Sequence, residues 1–160
     1  MFSNLLDALR ILAVCVAFYF GYSIGFSDGY DPVAQLHFMI PVIVVAIAGI
    51  SGLEGLLYGK KAAAAKGYES DGNYQRQSAL AMISMAVVSV MVWWLNWGIR
   101  AELAVLSVFL LFFFLSAVNH LADAVSRKNY AWQNINRPFI LLLLMAGLVY
   151  PVVKAWAELR

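Results

Sequence analysis

Ser116, His120, Asp123 and Arg127 follow one another at intervals of four, three and four residues. On a helix this spacing puts a hydroxyl, an imidazole, a carboxylate and a guanidinium on one face, with the Asn119 amide beside them. Such a set can relay a proton, ligate a divalent cation or hold a small polar ligand. The stretch that carries it, LSAVNHLADAVSRKNYAWQNINRP over residues 115–138, closes a long apolar run. Ionisable groups at or near membrane depth are costly, and they point into a bundle or a wet cavity rather than at lipid. This face is therefore the first place to look for function.

Composition determines which elements must hold it. The chain has 160 residues, 63% of them apolar, with a mean hydropathy of +0.78. A soluble globular chain is roughly 45–50% apolar, so the sequence predicts an integral membrane protein. Apolar runs at about 8–26, 33–58, 78–97, 103–124 and 139–156 are each long enough for roughly 30 Å of hydrocarbon. The expectation is one all-α domain over residues 1–160, a bundle of five transmembrane helices. The leading MFSNLLDALR has one acid and one base instead of a cationic cluster, and no small-residue cleavage site follows. The first run thus reads as a retained span rather than a secretory signal.

Small residues recur every four positions at Ala13, Ala17, Gly21, Gly25 and Gly29. This stripe predicts close approach of another helix backbone, from within the chain or from a second subunit, with the internal neighbour favoured. Pro41 predicts a kink in the second span, and Gly55 and Gly59 offer a second small-residue pair. The polar segment 59–77 reads as a linker in which the run AAAA adds a short helix. Cys15 is the single cysteine, which excludes an internal disulfide, and it reads as a small buried hydrophobe.

Five spans place alternate loops on opposite sides. One side collects Arg10, Lys60, Lys61, Lys66, Arg76, Arg127, Lys128 and Arg137, eight of the eleven Lys and Arg residues. The positive-inside rule makes that side, and the amino terminus, cytoplasmic and the carboxy terminus external, as in a prokaryotic inner membrane. Trp93, Trp94, Trp97 and Trp156 then form an aromatic belt at the outer boundary. The net charge of +2 is too small and scattered to indicate nucleic acid as a partner. The expected partners are membrane lipids and either other membrane subunits or further copies of the chain. Lys60, Lys61 and Lys66 would attract anionic lipid.

At a rise of about 1.5 Å per residue, Glu54 and His120 both fall about 30 Å from the outer ends of their spans, near the inner boundary. Tyr58, Gln75, Gln77, Asn119, Asp123, Asn134, Asn136 and Arg137 belong to the same level. Three readings of this inner polar cluster follow. Glu54 pairs with Arg137 or another base, and the amides hold the bundle in register. Alternatively Glu54, His120 and Asp123 ligate a divalent iron, manganese or zinc. In the third reading the cluster lines a cavity for a small polar ligand or lipid head group, or relays protons. Bis-histidine haem within one subunit is not expected, because His37 lies near the outer boundary, roughly 20 Å or more from His120 along the membrane normal.

The order Glu54, Gly67–Tyr68, YQRQSAL and FLSAVNHLADAVSRKNYAWQNINRPF resembles small multi-pass prokaryotic membrane proteins of an uncharacterised family. In those a glycine–aromatic pair and a Gln-containing segment open one span, and a His-bearing span precedes an Asn-rich turn and a proline. The aromatic there is often Trp where this chain has Tyr68. The resemblance covers about two thirds of the chain and brings no activity; it implies that the same polar positions matter. No nucleophile with a paired base, phosphate-binding glycine loop or strong metal spacing is present. The sequence thus favours a small accessory or binding subunit of a membrane complex over a ligand- or metal-binding enzyme or carrier using Glu54, His120 and Asp123.

Overall fold

A computed structural model describes residues 2–65 and 72–160. Among the described residues six α-helices follow in order: α1 (Phe2–Gly25), α2 (Pro32–Val44), α3 (Ile50–Ala65), α4 (Gly72–Trp94), α5 (Ile99–Ser126) and α6 (Trp132–Glu158). A π-helical turn, Val45–Gly49, joins α2 to α3, so these two form one span, and no strand occurs among the described residues. Five helical spans among the described residues are long and apolar enough to cross a membrane. The protein is a multi-pass helical bundle. Its amino-terminal end carries the start of α1 and the 127–131 turn, and the opposite end carries the 26–31 and 95–98 turns.

The second span is central: 56% of it is buried, against 28–33% of each other span. Asp31 caps α2 by accepting from the Ala34 N–H at 2.8 Å, and Pro32 starts the helix where its missing N–H costs nothing. Leu36, Met39, Ile40, Ile43 and Val44 are then almost wholly buried against α1, α4, α5 and α6. Lipid is as apolar as these side chains, so packing relies on close backbone approach. The stripe on α1 meets α2, since a Cβ on Gly21 or Gly25 would strike Met39 or Gln35. This is the internal neighbour that the spacing predicts. Cys15 differs from expectation: it lies on the exposed face of α1, away from this stripe.

Beyond Pro41 the helical ladder slips. The Val45 N–H is shared between the Pro41 and Val42 carbonyls, and the wider turn Val45–Gly49 follows. One extra residue in a turn rotates everything downstream by about 100° relative to an unbroken α-helix. The close neighbours of α3 are α4 and α1 rather than α5 and α6. It seats on α4 through Gly52, where a Cβ would come within 2.8 Å of the Ala79 carbonyl oxygen, and through Gly55, where it would meet the Ala79 methyl at 2.8 Å. The two hairpins, α3–α4 and α5–α6, thus part at the amino-terminal end.

Element bounds move at three places. Lys60–Ala65 continue α3 as good helix formers, and α4 begins at Gly72, so most of the expected 59–77 linker is helical. Lys66, Gly67 and Tyr68 lie outside the described residues. Helix α6 starts at Trp132 and runs through Pro138, seven residues before the expected start, which puts Asn134, Asn136 and Arg137 on a helix. Finally, Glu102, which falls between the expected third and fourth spans, is in the first turn of α5, where a carboxylate suits the helix dipole.

Candidate functional site

The inner polar cluster exists, divided in two. Asp7 and Arg10 are three residues apart on α1, and their side chains pair at 2.5 Å. The other arm of Arg10 reaches Glu54 on α3 at 2.6 Å. All three are about 95% buried. The base that Glu54 takes is therefore Arg10, not Arg137. A buried guanidinium between two carboxylates satisfies much of the charge that desolvation would otherwise penalise. Nothing in the hydropathy of α1 marks Arg10 as a site residue; the signal was the i, i+3 acid–base pair at the head of an apolar span, opposite a lone acid at the end of another.

The second part is a cavity of about 440 Å³ between the parted hairpins. Its polar side is formed by Gln75 and Ser78 of α4, Ser116, Asn119 and His120 of α5, and Arg137 of α6. Gly55, Ala79, Met82, Phe112 and Leu115 supply its apolar wall. Arg137 Nη1 donates to Ser116 Oγ at 2.6 Å, which holds the guanidinium across the α5–α6 gap. His120, 6% exposed, donates from Nδ1 to the Asn134 side-chain Oδ1 at 2.8 Å. Asn134 Nδ2 in turn donates to the Asn129 backbone carbonyl at 3.1 Å. The Asn-rich turn thus fixes which ring nitrogen of His120 bears the proton and how the ring faces. No acidic side chain lines the cavity among the described residues.

Of the expected site residues, Asn119, His120 and Arg137 are brought together here. Glu54 is held by Arg10 and does not line the cavity. Asp123 pairs with Arg127 at 2.9 Å, one turn beyond His120. Asn136 is buried beside Arg137 without lining the cavity, and its Oδ1 lacks a hydrogen-bond partner among the described residues. Gln77 is exposed on α4. Tyr58 sits at a kink in α3 (φ −130°, ψ 21°), 41% exposed. Gln75 and Ser78 line the cavity in their place, because the true start of α4 turns them inward.

The expected metal set of Glu54, His120 and Asp123 is not assembled. Each carboxylate is taken by an arginine, the imidazole by an amide, and among the described residues no group of three His, Cys, Asp or Glu is arranged to hold a metal ion. The guanidinium, amides and hydroxyls along this cavity can hold an anion by hydrogen bonds.

The opposite end is constructed differently. His37 Nδ1 donates to the buried Glu102 at 2.7 Å, beside Trp93. Tyr22, Phe26, Tyr30 and Tyr150 form a chain of ring contacts. Burial, aided by Tyr150 and Tyr22, pushes the Tyr30 hydroxyl up to about 12. Trp93, Trp94, Trp97 and Trp156 are 38–75% exposed around this end, where an aromatic belt is placed.

Comparison with curated proteins and with solved structures found no match. The family described as "family of unknown function (DUF6790)" matches residues 8–158, nearly the whole chain, and the protein belongs to it.

Proposed function

We propose that this member of the DUF6790 family is a small binding subunit of a cell membrane that holds a small, negatively charged polar ligand between its two hairpins. The single observation that carries this reading is the 440 Å³ cavity whose polar wall gathers the Arg137 guanidinium with the Asn119 and Gln75 amides. That volume falls in the range of roughly 300–1,000 Å³ of ligand sites, which pair apolar walls with a few convergent polar groups. A guanidinium and an amide are the donors that suit a carboxylate or phosphate. The basic side chains gathered at the amino-terminal end support a cytoplasmic orientation for the cavity in a prokaryotic inner membrane. Donors set around a cavity suit binding, and a role as a subunit beside other membrane chains belongs to the same proposal.

Native mass spectrometry of protein extracted from its own membrane in mild detergent tests this. The wild type is expected to carry one small acidic molecule per chain, and Arg137→Gln to lose it while unfolding at a similar temperature. Wild-type protein that is ligand-free and binds no anion overturns the reading.

A further inference from the structure

The cavity is graded along the membrane normal. Helices α4 and α6 run away from the amino-terminal end and α5 runs toward it, so depth can be read from residue order. Asn119, His120, Gln75 and Arg137 lie toward that end; Met82 and Phe112 lie about two turns deeper, toward the middle of the hydrocarbon. Leu115 lies between and is 58% exposed, so the wall is open sideways to lipid rather than sealed. A free ion would use the polar end and leave the apolar end empty. Water would fill that apolar end poorly, since it needs polar partners to stay.

We infer that the ligand is an anionic amphiphile: a phosphate or carboxylate head held by Arg137, Asn119 and Gln75, with an alkyl chain that runs past Met82 and Phe112 and leaves beside Leu115 into the bilayer. This rests on the anion-binding reading above and specifies its ligand. Gly55 shapes the passage, because only a residue without a side chain lets α3 seat on Ala79 and leave the space beyond open. Asp123, the acid nearest on α5, is held by Arg127 and adds no lining charge.

The test is equilibrium binding to the full chain in nanodiscs of phosphatidylcholine, with dodecyl phosphate, inorganic phosphate and dodecylphosphocholine as probes. Dodecyl phosphate is expected to bind at least ten-fold more tightly than either of the others. Phe112→Trp is expected to abolish the preference for dodecyl phosphate over inorganic phosphate; Arg137→Gln is expected to weaken both. A dodecyl phosphate carrying a diazirine at the chain end should label α4 and α5 near Met82 and Phe112, a readout that needs no variant. Equal affinity for dodecyl phosphate and inorganic phosphate overturns the amphiphile and leaves the anion site standing. No binding of either overturns both. Equal binding of dodecylphosphocholine, or labelling spread over all helices, would mean simple partition into the bundle surface and also overturns it.

Discussion

The ionic group Asp7–Arg10–Glu54 and the cavity group Ser116–His120–Arg137 lie at the same end of the bundle on different faces of α3, and they put similar side chains to opposite use. Glu54 faces α1, where a guanidinium is closed between two carboxylates and all three side chains are withdrawn from solvent. The row Ser51, Gly55 and Gly59 faces the cavity, where a guanidinium is held by a serine hydroxyl and no acid shares the lining among the described residues. Depth is therefore a poor guide to role. What separates the two groups is whether packing closes around the charged group or leaves a cavity beside it.

The comparison breaks most readily at Glu54. Removing one partner from a buried ionic group strands the other charge, which costs about 3–5 kcal/mol. Glu54→Ala should therefore lower stability sharply in denaturant or thermal unfolding in detergent, whereas Arg137→Ala should change ligand binding far more than stability. If Glu54→Ala costs less than about 1 kcal/mol, the group is solvated like an exposed pair, and the distinction between closed and open sites is lost.

A smaller effect sharpens the same comparison by acting on the wedge that separates the two groups. In Gly52→Val the new Cβ would sit 2.5 Å from Ile83 Cγ1 and 2.8 Å from the Ala79 carbonyl oxygen, so α3 and α4 must move apart. Overpacking of this kind costs about 1–3 kcal/mol. Gly59→Ala is the control, because its Cβ would meet only Gln75 Oε1 at 3.4 Å. Unfolding midpoints of the two variants should differ in that order; equal midpoints would mean that the α3–α4 seat does not shape the cavity.

How much of this was legible beforehand follows the physics of a helix. Hydropathy gives the five spans, and a rise of about 1.5 Å per residue gives depth, which is why Glu54 and His120 were expected at one level and both are at the amino-terminal end. Direction around the axis is harder. It turns by about 100° per residue, so the π-helical turn after Pro41 changes the face on which Glu54 emerges, and no composition signal announces such a turn. Pro41 signalled an irregularity, but the slip occurs at Val45–Gly49. His120, Asn119 and Arg137 were legible together because α5 is regular and the Asn-rich turn is short. Gln77 and Tyr58 were misplaced for want of the helix bounds, and Arg10 was taken as a topology charge when it is a buried partner.

The smallest effect probes the boundary between the groups. Arg127 and Asp123 form an i, i+4 pair whose side chains are 73% and 12% exposed, and such pairs contribute about 0.3–0.5 kcal/mol. Arg127→Ala should thus barely alter stability. It also leaves the Asp123 carboxylate without its guanidinium, three residues from His120 on the same face of α5. An anion entering the cavity would meet that charge, so binding should weaken by roughly two-fold at low salt. The loss should fade as ionic strength rises and the Debye length shrinks from roughly 30 Å at 0.01 M to 10 Å at 0.1 M. Titrating binding against salt for Arg127→Ala and for Asp123→Asn checks this. A penalty that persists at high salt, or appears equally in Asp123→Asn, where no carboxylate is left to repel the anion, would mean that the pair shapes the site through packing rather than charge.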